Sequence, residues 1–130
     1  MLACSSSNEK TTTPNATLEN TRWGLRSLND KKVFIPEGGK EIFIIFKKDE
    51  NKFNGNAGCN NMFGAYLKKG SELKIGPVAR TEMFCEQQME TENNFVKALE
   101  TVDKYKVKGD QLYLYEAAKL LAVFDAVYMN

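Results

Sequence analysis

The chain has 130 residues, with 18 basic and 17 acidic side chains and no histidine. That length supports one domain with its own hydrophobic core, and the near-zero net charge offers no overall basic surplus for a nucleic acid or an anionic membrane surface. Without histidine the chain lacks the usual general base near neutral pH and the commonest metal ligand, and no apolar run approaches the roughly 18 residues that a membrane-spanning helix needs.

The first residues, Met1-Leu2-Ala3-Cys4-Ser5-Ser6-Ser7, have the form of the end of a bacterial lipoprotein signal. An aliphatic and a small residue precede a cysteine, and a serine-rich polar stretch follows. Cys4 is therefore the expected lipidation site, and Ser5 after it leans toward outer-membrane sorting. Residues 5–20 are rich in Ser, Thr and Asn, with Leu18 as their one sizeable apolar side chain. Such a stretch cannot offset its ordering entropy by burial. Residues 1–20 are thus expected to be a signal remnant and flexible tether, and 21–130 the folded domain.

Trp23 and Leu25 alternate with polar or small neighbours, which predicts a first strand to about Leu28. Asn29-Asp30-Lys31 is turn chemistry, and a short second strand is expected from Lys32 to Ile35, ended by Pro36. The run Ile42 to Phe46 reads as a central strand covered on both faces. From Lys52 to Gly58, Phe53, Gly55 and Ala57 alternate against polar neighbours. From Met62 to Lys68, Phe63, Ala65 and Leu67 share one face. Leu73 and Ile75 mark a strand ending at Gly76-Pro77, and residues 78–83 should be extended. The period then changes: Met89, Phe95-Val96, Leu99 and Val102 recur at helical spacing, predicting an amphipathic helix over about 87–101. Tyr105 and Val107, then Gly109-Asp110, then Leu112 and Leu114 form a hairpin signal. Residues 120–127 supply a last strand. Many short strands with a single helix point to a mainly β fold, a small antiparallel barrel or sandwich crossed by that helix.

Between two of these strands lies the corner Gly55-Asn56-Ala57-Gly58-Cys59-Asn60-Asn61-Met62-Phe63-Gly64-Ala65-Tyr66. Glycine and asparagine tolerate positive φ, so a specially shaped backbone is expected there. Asn60 and Asn61 should satisfy the corner's backbone groups and occupy left-handed positions, while Gly58 and Gly64 permit close backbone approach. A phosphate loop is disfavoured, since this glycine-rich segment precedes a strand rather than a helix.

This order of residues resembles the META domain family of HslJ-like bacterial proteins. The resemblance is carried by Gly58-Cys59-Asn60 followed by Gly64 and Tyr66, and by Thr81, Met83 and Cys85 in the segment Ala79 to Cys85. Glu92 with Phe95 and Leu99, then Tyr105 and the Leu112–Leu114 strand, follow in order. Arg80, Glu82 and Phe84 depart from it, standing where the family usually has Thr, Arg and Ala. The resemblance implies a highly twisted, lipocalin-like antiparallel β-barrel with one helix packed on it. It also implies a cell-envelope location and involvement in stress or drug tolerance, with no assigned catalytic residues, cofactor or metal.

Both family cysteines would lie outside the cytoplasm if Cys4 carries a lipid. A disulfide between Cys59 and Cys85 is then permitted. Two buried thiols and a redox-active pair are the alternatives, the last without a CxxC spacing to support it. Two thiolates and no histidine make a poor zinc site. Arg80 and Glu82, two apart on one extended segment, share a face and are expected to pair. Tyr113 and Tyr115 share the face opposite Leu112 and Leu114 and form a candidate surface-binding patch. The function expected is a non-enzymatic envelope lipoprotein domain that binds an envelope protein or peptide. It would meet the membrane through its lipid anchor and would not bind nucleic acid. The alternative is a carrier of a small apolar ligand inside the barrel, although Trp23, Phe43, Phe46, Phe53 and Phe63 are expected to fill that interior.

Overall fold

The computed structural model describes residues 15–128; Cys4, the expected lipid-attachment site, lies outside them. In chain order the elements are β1 (Arg22–Leu28), β2 (Lys31–Lys32), β3 (Phe43–Lys47), β4 (Lys52–Asn56), β5 (Asn61–Lys69), β6 (Glu72–Ile75) and β7 (Ala79–Arg80). The helix α1 (Met89–Thr101) follows, then β8 (Lys104–Lys108), β9 (Gln111–Glu116) and β10 (Lys119–Val127). The strands β10-β9-β8-β6-β5-β4-β3-β1 pair in that order, and β1 pairs again with β10. The sheet thus closes into an antiparallel, barrel-like ring, which removes the exposed edges that invite association. β2 and β7 are short flaps on β1 and β5.

Alternation places one row of each strand inside. Trp23, Phe46, Phe53, Tyr66, Phe95 and Phe124 are among the largest fully buried side chains. Phe46 meets the Tyr66 ring edge-on at 5.0 Å, and Phe95 of the helix lies 6.0 Å from Phe124 of β10. The interior is therefore filled by the ring's own side chains and the apolar stripe of α1: Phe95, Val96, Ala98 and Leu99. The helix touches both the β4–β5 corner and the β9–β10 turn. Glu92 reaches the first, and Asn94, Lys97 and Thr101 lie beside Glu116 and Lys119 of the second.

Several expectations change. Residues 15–20 belong to the fold rather than to a tether. Leu18 is buried, its carbonyl accepts from Trp23 Nε1 at 2.9 Å, and Asn20 N donates to Phe46 O. The second strand is only Lys31–Lys32, because the chain turns off the sheet and leaves Phe34 exposed. The extended segment after Pro77 pairs only at Ala79 and Arg80. Phe63 and Leu67 point outward, since Phe53 pairs with Gly64 and this register turns Met62 and Tyr66 inward. Phe43 also lies on the outer face, half-buried under the Arg22 guanidinium, which sits 3.6 Å from its ring centre.

Candidate functional site

The corner after β4 turns at Gly58, whose φ of 127° is open to glycine at little cost. Asn56 Oδ1 accepts from Gly58 N at 2.8 Å. Neither Asn60 nor Asn61 is left-handed; Asn61 already begins β5, and Asn60 serves the corner by its side chain. Its Oδ1 accepts from Met83 N at 2.6 Å and Thr81 Oγ1 at 2.8 Å, and its Nδ2 donates to Met83 O at 3.0 Å. The corner is thereby laced to the segment leading from β7 to the helix. A disulfide between Cys59 and Cys85 joins the same two segments, with Cα atoms 5.7 Å apart.

A third element locks both. Glu92, in the first part of α1, is fully buried. Its Oε1 accepts from Cys59 N at 2.9 Å and Asn60 N at 2.8 Å, and its Oε2 from Asn60 Nδ2 at 2.7 Å and Arg80 Nη1 at 3.1 Å. Burial on its own would raise the carboxyl's pKa. The hydrogen bonds from Asn60, Cys59 and Arg80 outweigh it and hold Glu92 below the ordinary carboxylate range. Arg80 also donates to Asn93 Oδ1 at 2.8 Å. The expected Arg80–Glu82 pair is replaced by Arg80–Glu92, because a buried carboxylate gains far more from a counter-charge than an exposed one does.

Gly58, Cys59, Asn60, Thr81, Met83 and Cys85 thus converge, Met83 through its backbone while its side chain stays half-exposed. Gly64 and Tyr66 act elsewhere. A Cβ on Gly64 would lie 2.6 Å from Pro77 O and 2.8 Å from the Phe53 ring. The buried Tyr66 hydroxyl donates to Glu19 Oε2 at 2.6 Å. Burial foremost, then the neighbouring Glu19, pushes the Tyr66 phenol pKa upward. Tyr113 and Tyr115 lie on the outer face as expected. They are half-buried, paired across to Lys106 and Lys104 on β8 and to Val123 and Leu120 on β10.

Chemically the cluster is closed. Its carboxylate is held by four donors, and both sulfurs are in a bond, so it presents neither a base nor a nucleophile. Among the described residues no group of three or more His, Cys, Asp or Glu is placed to hold a metal. The sequence reading missed Glu92 as the keystone. The signal was its phase: Glu92, Phe95, Val96 and Leu99 share one helical face, so a carboxylate stands in the apolar stripe. It also missed an exposed apolar end. Phe34 is 79% exposed, Phe84 78% and Met83 51%, and Phe34 and Pro36 lie against Gln87.

The fold and this corner define a barrel-like β domain with one packed helix and a disulfide-stapled turn. The chain belongs to the META domain family, whose profile matches residues 16–128. No curated protein sequence matches it. Among solved structures it is similar to a Burkholderia xenovorans protein studied by NMR, at 22% identity and a TM-score of 0.71, over 95% of this chain and 96% of that one. A second NMR structure matches at 24% identity and a TM-score of 0.65, over 85% and 94% of the two chains. A DUF4847 family protein from Bacteroides vulgatus matches at 16% identity and 0.61, over 87% and 96%. These likenesses concern the fold, and none of them indicates a catalytic family.

Proposed function

We propose that this chain is a non-enzymatic interaction domain of the bacterial cell envelope, carried on the outer membrane by a lipid on Cys4. On this reading it binds an envelope protein or peptide through its exposed apolar end and contributes to stress or drug tolerance. The observation that carries the reading is that end: Phe34, Ile35, Met83 and Phe84 are exposed beside a corner made rigid by the disulfide and Glu92. Exposed aromatic and methionine side chains on a rigid frame are the usual anchors of a protein interface. The alternative, a carrier of a small apolar ligand, is weighed down by the interior, since a ligand would have to displace Trp23, Phe46 or Phe124. Tyr113 and Tyr115 provide a second, smaller outward patch for the same kind of contact.

The test is site-specific photo-crosslinking in intact cells. Probes at Phe34 and Phe84 are expected to yield the same discrete protein adduct, and a probe at Asn54 on the outer wall none. Adducts of equal yield from all three positions, or from none, contradict the reading. Mass analysis of the mature N-terminus separately reports whether Cys4 is acylated.

A further inference from the structure

The near-zero net charge conceals a segregation. Glu82, Glu86 and Glu90 are all exposed at the helix end. On the outer wall of β4, β5, β6 and β8, by contrast, stand Lys52, Lys69, Lys74 and Lys104, all exposed. The pairing register makes these lysines neighbours. Lys52 faces Ala65, Lys74 faces Leu67, and Glu72 lies between Lys69 and Lys104. Glu72 is the one carboxylate in this group. At its centre Leu67 is 73% exposed, on the same outward row of β5 as Phe63, 50% exposed.

We infer that this wall is a peripheral docking face for an anionic phospholipid bilayer, with Leu67 entering the headgroup region and the lysines meeting lipid phosphates. Two observations support that occupant, and the second selects it over an acidic protein. The first is charge complementarity: a basic cluster attracts an anionic surface within a Debye length of about 8–10 Å. The second is where the chain leads. Residues 15–19 run beside Lys68, Gly70 and Lys106, at the same end of β5 as Leu67 and Lys69. Asn15 is 11 residues from Cys4, a span of at most about 40 Å. The choice of a bilayer thus rests on the lipid-anchor reading. Leu67 stands six residues along β5 from the corner, about 20 Å, so a bilayer on the wall leaves the apolar end free for a partner.

The experiment uses the full chain with Cys4→Ser, so that no lipid contributes, in co-sedimentation with vesicles. Binding is expected to vesicles of phosphatidylcholine containing phosphatidylglycerol, to weaken as salt rises, and to be negligible on phosphatidylcholine alone. At about fivefold per lysine, Lys69→Glu with Lys74→Glu should weaken binding at least about 25-fold. Leu67→Asp should also weaken it, with circular dichroism unchanged. Lys31→Glu with Lys32→Glu, on β2, should leave it as it is. Equal binding to both vesicle types, no binding to either, or equal loss in the β2 variant overturns the inference. Retention on immobilised polyglutamate without vesicle binding also overturns it and assigns the wall to an acidic protein. Because the tested chain is unlipidated, failure here is separable from failure of the anchor, which N-terminal mass analysis decides.

Discussion

Glu92 is the buried polar residue on which the corner closes. Four donors converge on it from the corner and β7, so its removal strands buried N–H groups and the Arg80 charge. Glu92→Gln keeps an acceptor for Cys59 N and Asn60 N but turns an NH2 toward Asn60 Nδ2 and Arg80; it is expected to cost about 3 kcal/mol, read as a lowered midpoint in urea with an unchanged slope. The pKa direction sets the acid behaviour. With the folded carboxyl held below its unfolded value, the stabilisation is complete above the unfolded pKa of about 4.3 and is lost as pH falls through the folded one. The wild type should therefore lose stability in acid more steeply than Glu92→Gln. Tyr66 acts at the other limit. Its folded pKa is raised, so its contribution is complete below the unfolded value of about 10 and is lost as pH rises beyond it. Tyr66→Phe should flatten the alkaline limb of a stability profile. The glycines separate in the same way. Gly64→Ala meets Pro77 O and the Phe53 ring, whereas Gly70, with nothing within 4 Å, bears only a φ of 60°. Chemical denaturation should show Gly64→Ala losing more, about 1–3 kcal/mol from overpacking.

At the scale of elements, the corner forms one unit with residues 80–88 and the start of α1, from which β5 and β6 separate it in sequence. The disulfide closes a separation of 26 residues, worth about 3.5 kcal/mol in the chain-entropy account. Reduction, or Cys85→Ser, should lower the urea midpoint accordingly and raise amide exchange in residues 81–88 before the ring strands open. Much of this architecture is legible in the sequence. The alternation at Trp23 and Leu25, the helical spacing through Phe95 and Leu99, and the Gly109-Asp110 hairpin all correspond to elements. Which row of a strand faces inward is not legible where both rows are apolar. Met62, Gly64 and Tyr66 alternate with Phe63, Ala65 and Leu67, and only the pairing with Phe53 decides between them. The partner of Arg80 is equally hidden, because Glu92 lies 12 residues away on another element, whereas Glu82 shares its own segment. Leu18 was hidden by its neighbours: one apolar side chain among polar ones reads as linker until a pocket beside Trp23 receives it.

For the whole molecule, the closed ring directs the proposed interactions to its surfaces. Among the described residues the interior is filled and the corner cluster is internally satisfied, while the apolar end, the Tyr113–Tyr115 patch and the lysine wall on the far part of β5 face outward. That division makes the central proposal testable: the family-motif cluster is a structural lock, and the proposed recognition surface lies beside it, on Phe34 and Phe84. The most direct measurement is the in-cell crosslinking yield from a probe at Phe34, compared between the wild type and Glu92→Gln well below the variant's unfolding temperature. The account predicts a destabilised variant whose folded fraction still captures the partner at the wild-type yield. Abolished capture in a variant of unchanged stability would contradict it, and would make the Glu92 cluster itself the recognition site.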